Sequence, residues 1–134
     1  MKKPAFVLDS YAVLAYFQAE QGALKVKELL QQAQEGTVAV FLSLINLGEI
    51  AYPVERRLGG EILQQTLLDI STLPIHVCAV NKERVLAAAH LKAAFPISCA
   101  DAFAAALAQE MGAPLVTGDP EFKHMQSLVA TLWI

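Results

Sequence analysis

At 134 residues and 55% hydrophobic, the chain can bury one core and is read as one domain over residues 1–134. A net charge of −3 offers no global basic field for nucleic acid, though a local basic patch can still serve. No apolar run approaches the ~20 residues that cross a bilayer. The run after Met1-Lys2-Lys3 is too short for a secretory leader, and Asp9 interrupts it.

The first apolar run, Ala5-Phe6-Val7-Leu8, reads as a buried strand stopped by Asp9-Ser10, with a helix over Tyr11 to Phe17. Gly22 to Gln34 has helical apolar spacing and ends at Gly36, which tolerates a left-handed cap. Thr37 to Leu42 is the second strand, and Ser43 caps a helix through Glu49 that Pro53 breaks or kinks. A helix over Glu61 to Leu73 leads past Pro74 to a third strand, Ile75 to Val80. Asn81 caps a helix to about Ala94, and Ser98 opens another through Met111. Leu115-Val116-Thr117 is a short fourth strand, and Leu128 to Ile134 a fifth. Strands alternating with helices predict an α/β fold with a mostly parallel sheet and right-handed crossovers.

Four acids stand alone in uncharged stretches: Asp9, Glu49, Asp101 and Asp119. A doubly wound sheet can bring them to one rim, where ligands bind outside the carboxyl ends of the strands. Each has a plainer reading as well. Asp9 and Asp119 can cap helices, with Pro120 at the first helical position after Asp119, and Ser98 to Asp101 has the form of a capping box. Glu49, between Leu47 and Ile50, has no capping role. Asp69 is also solitary, but it lies late in a helix and reads as a solvated face.

Converging carboxylates repel. At ~5 Å and an effective dielectric near 20, each pair costs on the order of 3 kcal/mol. Several such pairs rival the stability of a domain, so the acids must be protonated, spread apart or bound to cations. Oxygen-only ligands point to Mg²⁺ or Mn²⁺ rather than zinc, and a pair of such ions is the apparatus of phosphodiester hydrolysis.

In these blocks the chain resembles the PIN-domain family and, within it, the VapC-type toxin ribonucleases. The blocks are Val7-Leu8-Asp9-Ser10, Ser43 to Ile50, Ser98-Cys99-Ala100-Asp101-Ala102, and Gly112 to Asp119 followed by Pro120-Glu121-Phe122-Lys123. The resemblance implies a three-layer α/β/α PIN-like fold with a five-stranded sheet. It implies a Mg²⁺ or Mn²⁺ site of Asp9, Glu49, Asp101 and Asp119, and endoribonuclease activity on RNA. Ser10 and Thr117 are expected to support that site, and a homodimer and a small cognate antitoxin are expected partners. Two departures stand out: Tyr11 occupies a position where a small residue often follows, and Pro53 removes the helix bond to the Glu49 carbonyl.

Candidate RNA phosphate contacts are Arg56, Arg57, Lys123 and His124. Arg56 shares a helical face with Glu49 if the helix survives Pro53. His76 and His90 read as structural or surface residues. Cys78 and Cys99 form no metal-ligand spacing and read as core thiols of a reduced, cytoplasmic protein. The alternative function is a catalytically silent PIN-like module that binds RNA or a partner, and cleavage of DNA stays open. A receiver domain needs a phosphorylated Asp at a later strand end with a matching Lys, and neither is found. A dehalogenase-type phosphatase needs an Asp where Tyr11 stands.

Overall fold

The computed structural model describes residues 3–134; Met1 and Lys2, which open the run weighed above as a leader, lie outside the described residues. In chain order the elements are β1 (Ala5–Leu8), α1 (Ser10–Phe17), α2 (Ala23–Gln34), β2 (Ala39–Ser43), α3 (Leu44–Leu58) and α4 (Gly60–Thr72). There follow β3 (His76–Cys78), α5 (Lys82–Ala94), α6 (Cys99–Met111), β4 (Leu115–Thr117), a 3₁₀ turn (Pro120–Met125) and β5 (Thr131–Trp133).

The sheet order is β3-β2-β1-β4-β5, and each neighbouring pair is parallel. The chain winds outward from β1 through β2 to β3, then returns to place β4 on the other side of β1. The direction of winding reverses between β1 and β4, which is where such sheets open a crevice at their carboxyl ends. Leu8 is in register with Val116 there, so Asp9 and Thr117 leave the sheet side by side.

Side chains alternate along β1 and are buried on both faces. Ala5 and Val7 join a core with α5, α6 and the 3₁₀ turn, whereas Phe6 and Leu8 join a second core with α1 to α4. Nine successive residues of α6, Ala100 to Ala108, are buried, and six of them are alanine. A helix enclosed on every side needs small residues to approach its neighbours closely. Its first turn therefore enters the interior carrying Asp101.

Capping follows the expected residues. Ser43 Oγ accepts from the Ile45 amide at 3.2 Å, Asn81 Oδ1 from Arg84 at 2.9 Å and Ser98 Oγ from Asp101 at 3.1 Å. Gly36, just beyond α2, has φ +84°.

Several expectations need correction. β2 begins at Ala39 because the Thr37 amide and hydroxyl both turn back to the Gln32 carbonyl at 3.0 Å. β3 is only His76–Cys78: the Ile75 amide bonds to the Leu73 carbonyl at 2.8 Å, and the Ala79 carbonyl accepts from Arg84. β5 starts at Thr131, since the Leu128 and Val129 amides both turn back to Met125 at 2.9 Å. Helix α3 neither stops nor breaks at Pro53 but continues to Leu58, held by buried Ile50 and Val54 on either side of the proline. Cys99 is exposed rather than a core thiol, because the buried stretch of α6 starts one residue later; Cys78 is half-buried against the α5–α6 core.

Candidate active site

Asp9 ends β1 and caps α1. It is 1% exposed, with Oδ1 accepting from the Ala12 amide at 2.8 Å and Oδ2 from the Thr117 hydroxyl at 2.5 Å. Asp9 is thus a helix cap, as one of its two readings predicted, and its second oxygen is held from the end of β4. Burial pushes its carboxyl up from 3.8 to about 7; Asp101 and Asp119 add to the rise, while the two hydrogen bonds oppose it. Thr117 links two strand ends, because its hydroxyl also accepts from the Asp119 amide at 3.0 Å.

Asp101, in the first turn of α6, is also buried. Its carboxyl is likewise pushed up from 3.8 to about 7, mainly by burial and then by Asp119, with Glu49 and Glu121 contributing to the rise. Asp119 caps the 3₁₀ turn, its carboxylate accepting from the Glu121 amide at 3.0 Å. Glu49, two turns into α3, accepts a hydrogen bond from the Ser10 hydroxyl. Ser10 and Thr117, the two expected supporting hydroxyls, each hold one acid.

Asp101, Asp119 and Glu121 can present one carboxylate oxygen each, all within 4.8 Å of one another. Asp9 and Glu49 fall outside that tight set but lie within its field, Asp9 facing Asp101 and Asp119, and Glu49 facing Asp101. The tight set contains neither histidine nor cysteine. All-oxygen donors, with two carboxyls driven toward neutrality by burial and mutual repulsion, fit a hard divalent cation.

Sequence reading overlooked two residues. Glu121 stands among charged neighbours and reads as solvated; the 3₁₀ turn after Pro120 folds it back beside Asp119. The Asp119-Pro120 cap was the available signal, since it predicts a turn that returns the next side chain toward the cap. Asn46 is fully buried one turn before Glu49. Its Nδ2 donates to the Ala100 carbonyl at 3.3 Å, tying α3 to the start of α6, and its Oδ1 has no partner.

Of the basic candidates, Arg56 and Arg57 lie further along α3, whereas Lys123 and His124 share the 3₁₀ turn with Glu121. Arg56 does share the Glu49 face, but two turns or about 10 Å along the axis, exposed and 6.0 Å over the Tyr52 ring. Arg57 is also exposed. Lys123 and His124 are exposed in the last turn of the 3₁₀ segment.

The family profile of the PIN domain matches residues 6–128, and the chain belongs to that family. Among solved structures it is similar to VapBC2 from Rickettsia felis bound to a DNA fragment from its promoter, with TM-score 0.75 at 20% identity over 97% of this chain and 99% of that one. It is similar to Mycobacterium tuberculosis VapC20, described as a sarcin–ricin loop cleaving toxin, with TM-score 0.73 at 15% identity over 96% and 99% of the two chains. FitAcB from Neisseria gonorrhoeae gives TM-score 0.68 at 16% identity over 95% and 96%. At such identities the likeness is one of fold. No curated protein matches the chain by sequence. No single helix among the described residues is long and apolar enough to cross a membrane.

Proposed function

We propose that the chain is a Mg²⁺- or Mn²⁺-dependent endoribonuclease of VapC type, the toxin half of a toxin–antitoxin pair. In this reading it acts in the cytoplasm as a single-domain homodimer that cuts RNA and is restrained by a small cognate antitoxin. The observation that carries the reading is the all-carboxylate group at the β1–β4 switch point, formed by Asp101, Asp119 and Glu121 in the field of Asp9 and Glu49. Membership of the PIN family supports it. The description of VapC20 as a sarcin–ricin loop cleaving toxin supports RNA as the substrate class, and the toxin–antitoxin complexes among the similar structures support an antitoxin partner.

In this reading Asp101, Asp119 and Glu121 would hold a divalent cation directly, and Asp9 and Glu49 would complete its surroundings. Thr117 orients Asp9, and Ser10 orients Glu49. A bound cation would supply Lewis-acid chemistry for phosphodiester hydrolysis. The chain's own contribution is to gather the carboxylates, from buried Asp9 and Asp101 to exposed Glu121, and to hold Asp9, Glu49 and Asp119 through hydroxyl and amide donors.

The test is cleavage of total cellular RNA by purified, antitoxin-free protein with Mn²⁺ or Mg²⁺, with EDTA, and with the Asp101→Asn variant. Cleavage that requires metal and is lost in the folded variant is expected. Intact RNA under every condition, together with RNA binding, would instead favour the silent binding module.

A further inference from the structure

Tyr11 lies two residues after Asp9 in the first turn of α1 and is 41% exposed. Its ring packs directly on Gly118, the residue between Thr117, which holds Asp9, and Asp119. A Cβ at Gly118 would run into Cε1 of Tyr11 and come within 2.7 Å of Cζ, so the backbone turn before Asp119 is the ring's seat. An aromatic surface is thereby anchored between two of the site's acids while much of it stays in solvent.

The surrounding charge bears on what such a ring could do. The chain carries −3 overall and the site is carboxylate; Arg56 and Arg57 stand two turns from Glu49, and Lys123 and His124 are exposed in the turn that carries Glu121. Only two of the four candidate phosphate contacts therefore stand near the acids in the chain. Stacking on an aromatic ring is the neutral alternative, and it accepts any base because every base has a π-face. Resting on the nuclease reading above, we propose that Tyr11 is a substrate-binding residue: it stacks a nucleobase flanking the scissile phosphate of single-stranded RNA.

The probe is a single-stranded RNA decamer carrying one 2-aminopurine, whose fluorescence falls on stacking. Binding is read in Ca²⁺ and cleavage in Mn²⁺, for wild type, Tyr11→Phe and Tyr11→Leu. Wild type and Tyr11→Phe are expected to quench the probe with similar KM. Tyr11→Leu, which still fills the seat on Gly118, should lose the quench and raise KM by about 5- to 150-fold with kcat within about two-fold. Tyr11→Met takes its place if the leucine variant does not fold. Active wild type with unchanged quench and KM in Tyr11→Leu overturns the stacking role and leaves the nuclease reading intact. Wild type that neither binds nor cuts RNA overturns both.

Discussion

Asp9 is stabilised and destabilised by the same fold. Its hydrogen bonds from Ala12 and Thr117 favour the carboxylate, but burial and the neighbouring acids outweigh them and its proton is held up to about pH 7. Between 3.8 and about 7 the folded state therefore binds more protons than the unfolded chain, so stability falls as pH rises through that interval and levels off above it. A difference of three pH units corresponds to roughly 4 kcal/mol for this group. We predict that the denaturation midpoint of the metal-free protein drops from pH 4.5 to pH 8, and that Asp9→Asn flattens part of the drop. A wild-type profile that rises over this range would refute the assignment. Thr117→Val leaves a buried carboxylate oxygen without its donor, so it should destabilise by about 1–3 kcal/mol at pH 8 and by less at pH 5, where the carboxyl is protonated; paired urea titrations measure this. At this scale the four solitary acids were legible because an isolated charge in apolar sequence needs a reason to be there. Glu121 was not, since its charged neighbours mimic a solvated face. Asn46 was not either, because its role is a contact with Ala100, far away in the chain.

Helix α3 joins the Ser43 cap, Asn46, Glu49 and the exposed Arg56 on one rod. Pro53 stands inside that rod and leaves the Glu49 carbonyl without its helical donor. Alanine in a helix interior is favoured over proline by about 3 kcal/mol, and Pro53 is half-buried, so some packing is lost on replacement. Pro53→Ala should raise stability by about 1–3 kcal/mol in urea unfolding with an unchanged m-value; a destabilised protein would mean that Pro53 contributes packing larger than its backbone penalty. Local propensity predicted a break or a kink here; the helix is not broken, and buried Ile50 and Val54 hold it across the proline. The short β3 and β5 fail in the opposite direction. Their sequences favour strand over longer stretches, but amides turning back to Leu73 and Met125 take those residues out of the ladder.

At the scale of the molecule, the winding order β3-β2-β1-β4-β5 converts distant stretches of sequence into one acidic crevice. Such a crevice stores repulsion that a divalent cation relieves, and a ligand that binds only the folded state raises stability by about 2.7 kcal/mol at 100 times its Kd. Millimolar Mn²⁺ or Mg²⁺ should therefore raise Tm at pH 8 and have little effect at pH 5, where Asp9 and Asp101 hold protons. Scanning calorimetry at the two pH values, with Asp101→Asn as control, measures it; an equal effect in the variant would move the binding site elsewhere.

The sequence by itself determined the alternation of strands and helices, their caps at Ser43, Asn81 and Ser98, and the acids at the ends of β1 and β4. These follow from periodicity, local hydrogen bonding and the penalty on a lone buried charge, all of which act over a few residues. Only the tertiary structure decided that Thr117 grips Asp9, that Ser10 grips Glu49, that Glu121 returns to Asp119 and that Tyr11 sits on Gly118. Those contacts depend on the reversal of winding between β1 and β4 and on the turns beside it, which no short window of sequence contains.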